Sequence, residues 1–250
     1  MYTRQRFMRR FLLPQNKVVG RLYDSTENIR VLAGPFQGMR YFNEVTWGSL
    51  IPKWIGTYEM EIHPWIQRIL GRPPRIVIDV GCAEGFYAVG LARLLPGVRV
   101  FAFDVDFISR RQLKKLSNLN GVANQIRTAG WCSQQEVERL TAAGDALLIA
   151  DIEGQETVLL DPVACPSLAT TRILVELHPT LDGILEDTRR ELKARFAGTH
   201  LVEELPSVSR RVADGSHLLP LGFQIREIPA LLEEYRGVAQ SWLFFTPIRG

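Results

Sequence analysis

The sequence predicts an α/β protein built on a doubly wound, mostly parallel sheet, preceded by an N-terminal cap region. Three observations carry that expectation. From residue 75 onward, short apolar runs alternate with amphipathic helical segments, the signature of strand–helix–strand units. Glycines stand just past two of the helical segments, where a left-handed residue ends a helix. The 250 residues, 46% of them hydrophobic, suffice for one full core with an appended lobe. Alternating strands and helices joined by short loops specify a parallel sheet covered on both faces.

Taken in order, the chain opens with a basic arm. Within residues 1–24, Arg4, Arg6, Arg9, Arg10, Lys17 and Arg21 face a single acid, Asp24, with Phe7, Phe11, Leu12 and Leu13 interleaved. Such an arm is either a solvated helix packed on its own domain or a weak contact with an anionic membrane surface. Residues 31–70 hold Trp47, Trp54 and Trp65 and read as a cap over the sheet or as extra core. The expected organisation is an arm and cap over 1–70 and a sheet domain over 71–250, with a lid-like insertion at 207–239.

Strand-like runs are Arg75–Val80, Arg99–Asp104, Gln125–Gly130, Ala146–Asp151 and Arg172–His178. Helices are expected over Gly85–Leu95, Ile108–Leu119 and Ser133–Ala143, with a shorter one after Gly154 and another over Glu186–Ala197. Gly97 and Gly121 are the helix-ending glycines, and Ser133 with Glu136 has capping-box spacing. Two further β-type runs, Thr199–Leu205 and Ser241–Ile248, flank a segment of about 35 residues containing Pro220 and Pro229. That length is too great for a hairpin and implies structure of its own.

Composition excludes several classes. A formal net charge of +3 gives no basic face for a phosphate-rich partner, so nucleic acid is not expected. No uncharged run reaches the ~18 residues of a spanning helix, and FLLP is too short for a signal peptide. The three cysteines, Cys82, Cys132 and Cys165, show no CxxC spacing, which suits a reducing, cytoplasmic compartment. Oligomeric state is left open.

The stretch IVIDVGCAEGFYAVG (76–90) is a strand, a turn and a helix start. In a parallel sheet such a turn lies at the carboxyl end, where ligands bind. Gly81 permits the tight turn and Gly85 a close approach, while the following helix offers its positive end to an anion. Neither G-x-G-x-x-G nor G-K-[ST] is present, and Asp79 and Glu84 bring negative charge that a pyrophosphate would not tolerate. The mouth favours a ligand carrying cations.

D-x-G-x-x-x-G resembles the first motif of class I S-adenosylmethionine-dependent methyltransferases. The second strand, VFAFDVD, ends in Asp104, 23 residues beyond Gly81, where an acid accepts both hydroxyls of a ribose. Asp106 is the alternative, its other role being to cap the next helix. LLIADIEGQE (147–156) and RILVELHPT (172–180) are similar to the fourth and fifth strand ends of FkbM-type methyltransferases, D-x-E-G-x-E and V-E-x-H. The likeness runs from GPFQGMRY and GTYE to SWLFFTPI, with Asp104 standing where a glutamate is commoner. It implies a Rossmann-like methyltransferase sheet of seven strands with the last antiparallel. It also implies S-adenosylmethionine as cofactor, held by Asp79, Gly81, Cys82, Glu84, Gly85, Asp104, Val105, Trp131 and Asp151. Trp131 is read either as core or as stacking on the adenine.

Residues two apart on a strand point the same way, so Asp151 with Glu153 and Glu176 with His178 would converge if their strands are neighbours. The reading is an O-methyltransferase acting on a small-molecule hydroxyl, that of a sugar, glycan precursor or natural product. His178 is the expected base, Asp151 holds the cofactor's amino group or substrate, and Glu176 orients the site. Tyr58, Glu59 and Glu153 are expected at the substrate, as is Arg211, which with Arg210 could grip an anionic group. Asp151, Glu176 and His178 could hold a divalent metal, but no compact ligand motif demands one and none is favoured. The competing role for Glu176 and His178 is to pin the sheet edge through ion pairs. Competing functions are an N-methyltransferase, disfavoured because the prolines of N-P-P-Y are absent, and a non-catalytic binder of an adenosyl ligand. An NAD-linked oxidoreductase is disfavoured by the glycine spacing.

Overall fold

Seven strands form one sheet: β1 (Ile76–Val80), β2 (Arg99–Phe103), β3 (Ile126–Ala129), β4 (Ala146–Ala150), β5 (Arg172–Leu177), β6 (His200–Pro206) and β7 (Ser241–Pro247). The structure is a computed structural model and describes residues 15–44, 47–179, 184–236 and 240–248. Strand order is β3-β2-β1-β4-β5-β7-β6. β1 pairs in parallel with β2 and β4, β2 with β3, and β4 with β5. β7 runs antiparallel between β5 and β6. This is the doubly wound sheet with an antiparallel last strand that the sequence predicts.

Burial explains the order. β1 (IVIDV) and β4 (ALLIA) are apolar, with Asp79 the exception, and are buried along their whole length, as central parallel strands covered on both faces must be. β3 (IRTA) is mostly exposed and stands at one edge, while β6 (HLVEELP) carries Glu203 and Glu204 at the other. Chain direction around the sheet reverses between β1 and β4, so their carboxyl ends flank the switch point where doubly wound sheets bind ligands. Ladder pairing stops at Phe103, Ala150 and Leu177. Asp104, Asp151 and His178, expected as strand ends, therefore begin the loops at that edge.

Two compact units divide the chain, Met1–Met60 with Val208–Tyr235 and Glu61–Ser207 with Arg236–Gly250. The second holds the sheet, its crossovers and the helix His63–Gly71, which buries Trp65. The helix Phe107–Leu119 is capped by Asp106, whose carboxylate accepts from the Ile108 and Ser109 amides at 2.9 and 3.3 Å. Ser133 Oγ accepts from the Glu136 amide at 3.2 Å and caps the helix Gln134–Thr141. The capping box is completed only on that side, because the Glu136 carboxylate turns to Arg139 at 2.6 Å. Gly97 and Gly121 adopt φ of +84° and +70°, as their positions past helix ends require.

In the first unit, Ile29, Phe36, Met39, Tyr41 and Trp54 are buried, and the Trp54 indole donates to the Phe42 carbonyl at 3.2 Å. Trp47, by contrast, is exposed. The long segment before β7 has structure of its own: 3₁₀ turns over Val212–Leu221 and Ile225–Glu227, then the helix Ile228–Leu232. Of the basic arm, Lys17 and Arg21 lie in the helix Gln15–Leu22; Arg4, Arg6, Arg9, Arg10 and the apolar residues among them lie outside the described residues. No helix among the described residues is long and apolar enough to cross a membrane.

His200 opens β6 as a buried neutral imidazole. Its Nε2–H donates to the Thr171 carbonyl at 2.9 Å, Thr199 lies 2.8 Å from Nδ1, and Phe196 and Phe245 present ring edges to it. Burial lowers its pKa below the ordinary 6.5 despite the Thr171 contact. A depressed histidine means that the unfolded chain binds the proton first. Its stabilising contribution is therefore complete above pH 6.5 and is lost as pH falls toward the folded pKa. Urea unfolding at pH 7.5 and pH 5.5 should show a smaller acid-induced loss of stability in His200→Gln than in the native chain.

Candidate functional site

The turn after β1 is shaped by two glycines doing different work. Gly81, at φ +80°, faces the backbone of the β4 end: a Cβ there would lie 1.7 Å from the Asp151 carbonyl oxygen. Gly85, at φ +92°, begins the helix Phe86–Leu94, and a Cβ on it would meet Leu113 Cδ1 at 2.4 Å. Ala83 between them also sits at positive φ, +46°. The amides of Gly81 and Cys82 both donate to the Phe103 carbonyl, at 2.8 and 3.1 Å, tying the turn to β2. The N-cap of that helix is Gly85, which has no side chain to offer, and the first turn carries no acid.

Carboxylates surround this turn. Asp79 and Glu84 are buried, and Asp104 is half-buried. Their combined field shows in Cys82: burial first, then Asp79, Asp104 and Glu84, push its thiol well above its ordinary range. Asp104 is held by two backbone donors, the Ala83 amide on Oδ2 and the Asp106 amide on Oδ1, each at 2.8 Å. Burial outweighs these donors and raises the Asp104 pKa. Each of its oxygens keeps a second lone pair for a hydroxyl. Asp106 is committed to its helix, so of the two acids Asp104 is the one at the mouth. Beside it, Val105 is 72% exposed, and Trp131, past the end of β3, is 71% exposed. Trp131 is therefore not a core residue.

The ends of β4 and β5 are neighbours, as the convergence required. In-register pairing of Ala150 with Val175 sets Asp151 beside Glu176. His178 is nine-tenths buried. Its Nδ1 lies 2.9 Å from Oε1 of Glu156, a wholly buried residue that also accepts the Gly154 amide at 3.1 Å. His178 Nε2 faces Asp151 Oδ1 and Glu153 Oε2, each at 3.7 Å. Burial disfavours the imidazolium, but Glu156, Asp151 and Glu153 together outweigh it and raise the His178 pKa. Asp151 is pushed up to about 6, chiefly by its setting within the protein, although 35% of its side-chain surface stays open. Glu176 is also engaged by Arg236, whose Nη1 lies 3.5 Å from it and 3.6 Å from Glu61.

Glu156 was not given a role from the sequence. Its only signal was its place three residues after Glu153 in the D-x-E-G-x-E run, and nothing there foretells that it orients His178. The remaining expected site residues belong to the first unit. Tyr58 is half-buried with Lys53 Nζ 4.8 Å from its ring centroid. Glu59 is buried at φ +49° and its amide donates to Glu234 at 3.3 Å. Arg210 also pairs with Glu234, with its Nε 2.9 Å from Oε1, so both residues are structurally engaged. Arg211 is exposed and pairs with Asp214. His217 is bound to the Ile55 carbonyl at 3.0 Å.

No protein-family model and no curated protein sequence matches the chain. Among solved structures, it is similar to the O-methyltransferase TomG of Streptomyces achromogenes, involved in tomaymycin synthesis and bound to S-adenosylmethionine. That likeness has 14% identity over 72% of this chain and 77% of the other, with a TM-score of 0.48. An O-methyltransferase of Bacillus cereus in complex with S-adenosylhomocysteine shows 12% identity over 72% and 78%, with a TM-score of 0.46. The human methyltransferase 10 domain containing protein shows 14% over 73% and 79%, with a TM-score of 0.43. At that depth of likeness, neither substrate nor chemistry transfers from those proteins to this chain.

Gly81 and Gly97 separate steric approach from backbone strain. Both have positive φ, but a Cβ on Gly97 meets nothing within 4 Å. Gly97→Ala should cost about 1 kcal/mol, the left-handed penalty alone. Gly81→Ala should cost roughly 3 kcal/mol or more, because the Asp151 backbone must also move. Denaturant unfolding of both variants measures the difference.

Proposed function

We propose that this chain is an S-adenosylmethionine-dependent methyltransferase that acts on a hydroxyl of a small molecule, a sugar, glycan precursor or natural product. The observation that carries the reading is the field at the β1 turn. Three carboxylates act on Cys82 at the turn that leads into the helix Phe86–Leu94. A pyrophosphate would be repelled there, whereas a ligand with cationic sulfur and ammonium groups and one carboxylate matches both signs.

When bound, the cofactor supplies a methyl carbon already activated by a sulfonium. The protein's part is alignment and proton removal. Asp104 would accept the ribose hydroxyls through its remaining lone pairs, with Val105 and Trp131 as apolar surface near the base. Asp79, Glu84 and Asp151 would complement the cationic groups. At the acceptor end, Glu156 accepts a hydrogen bond from the Nδ1–H of His178, which leaves Nε2 as the atom that would receive the hydroxyl proton. Asp151, Glu153 and Glu176 would stabilise the resulting imidazolium. Tyr58 and Glu59 are assigned to substrate on the motif likeness alone, and Arg211 as a cation that could grip an anionic group on it.

Calorimetry should show S-adenosylhomocysteine binding and no NAD binding. Asp104→Asn should weaken S-adenosylhomocysteine about 10- to 100-fold, the worth of charge-assisted hydrogen bonds. With labelled S-adenosylmethionine and a panel of sugar and polyol acceptors, His178→Asn should abolish label transfer while leaving S-adenosylhomocysteine affinity unchanged. NAD binding in place of the adenosyl thioether would refute the reading. Undiminished transfer in His178→Asn would remove the base.

A further inference from the structure

We propose that the helix Phe107–Leu119 and the edge strand β3 form a docking surface for an anionic phospholipid membrane. Phe107 and Ile108 enter the headgroup boundary, and Arg111, Lys114 and Arg127 meet lipid phosphates. Between Phe107 and Gln135 the chain has no Asp or Glu, while Arg110, Arg111, Lys114, Lys115 and Arg127 contribute five positive charges. That excess is larger than the +3 of the whole chain, so the rest of the sequence is net acidic.

The helix has two faces. Ser109, Leu113, Leu116 and Ser117 are buried, whereas Phe107, Arg111, Lys114 and Lys115 recur at three- and four-residue spacing and are exposed. β3 stands at the edge of the sheet with Arg127, Thr128 and Ala129 exposed. Among the described residues, Arg111, Lys114 and Arg127 have no acidic partner at ion-pair distance. At the helix start Phe107 is 68% and Ile108 58% exposed, large apolar groups that the core does not use. Arg110 makes the surface continuous. Its guanidinium carbon lies 5.8 Å from the Phe107 ring centroid, and its Nη1 lies 3.7 Å from where a Cβ on Gly130 would stand. The same Nη1 donates to the Asp104 carbonyl at 2.6 Å, which fixes the side chain in that place.

Charge and apolar exposure together select the occupant. Cations along one helix face, with an aromatic and an aliphatic side chain at its end, are the pattern of a helix lying at a lipid–water interface. Ile108 separates lipid from nucleic acid, because an aliphatic side chain has no ring to stack on a base and gains only from an apolar medium. A second copy of the chain would set the same cations against one another. The adjoining acids do not cancel the field: backbone amides hold the carboxylates of Asp104 and Asp106. Val105 and Trp131, also exposed nearby, belong to the adenine in the reading above and are not required here. The helix starts at the carboxyl edge of the sheet, so a membrane held there lies beside the β1 mouth.

Membrane binding is read without cofactor or acceptor, so its failure is distinct from failure of the methyltransferase reading. The full chain is sedimented with vesicles of phosphatidylglycerol and phosphatidylcholine in equal parts. Binding is expected there, and at least about tenfold weaker on phosphatidylcholine alone. Arg111→Gln/Lys114→Gln, at exposed positions, should weaken it about 10- to 30-fold, at about fivefold per cation. Phe107→Ser should weaken it at least about fivefold through lost insertion. Arg99→Gln/Arg190→Gln removes the same charge at exposed positions on the amino end of β2 and the helix Leu185–Phe196, and should leave binding unchanged. No binding to the anionic vesicles would overturn the proposal. So would binding indifferent to the helix variants, which would give the membrane to the basic arm of residues 1–24. Binding of single-stranded RNA in place of vesicles would equally overturn it.

Discussion

A single backbone approach governs the carboxyl edge of this sheet. The Asp151 carbonyl occupies the space where any side chain on residue 81 would begin. The first turn and the end of β4 can therefore close on each other only across a glycine in the left-handed region. That closure occurs at the switch point between β1 and β4, so it determines where Asp151 leaves the sheet. Through the pairing of β4 with β5, it also determines what stands beside Glu176 and His178.

Upon that frame the acids divide into two groups with different consequences. Around the first turn, Asp79, Glu84 and Asp104 create a negative field, which together with burial raises the Cys82 thiol. At the ends of β4 and β5, the carboxylates gather about one imidazole, and burial alone would have kept that imidazole neutral. Both arrangements are costly for a structure to maintain unless a positive group occupies them.

Buried carboxylates elsewhere show the contrast. Glu234 is met by Arg210, and Glu61 and Glu176 by Arg236, guanidinium partners that balance buried charge. The pair with Arg236 is of the kind that pins a sheet edge, the competing role the sequence left open for Glu176, while Arg210 meets a glutamate of its own unit. An arginine in a loop reads as a ligand-gripping group until its partner is known.

By itself the sequence determined the sheet and the mouth. The alternation of apolar runs with helical segments, the glycines at 81, 85, 97 and 121, and the caps at Asp106 and Ser133 are local signals, and local physics suffices to read them. The acids at strand ends were legible for the same reason, since a two-residue period places them at one edge. Only the tertiary structure decided which of them meet. It put β4 beside β5, exposed Trp131, turned Glu176 toward Arg236 and Glu153 toward His178, and brought buried Glu156 to Nδ1. Those outcomes depend on strand order and on side-chain burial between segments distant in sequence. Neither leaves a periodic trace in the chain.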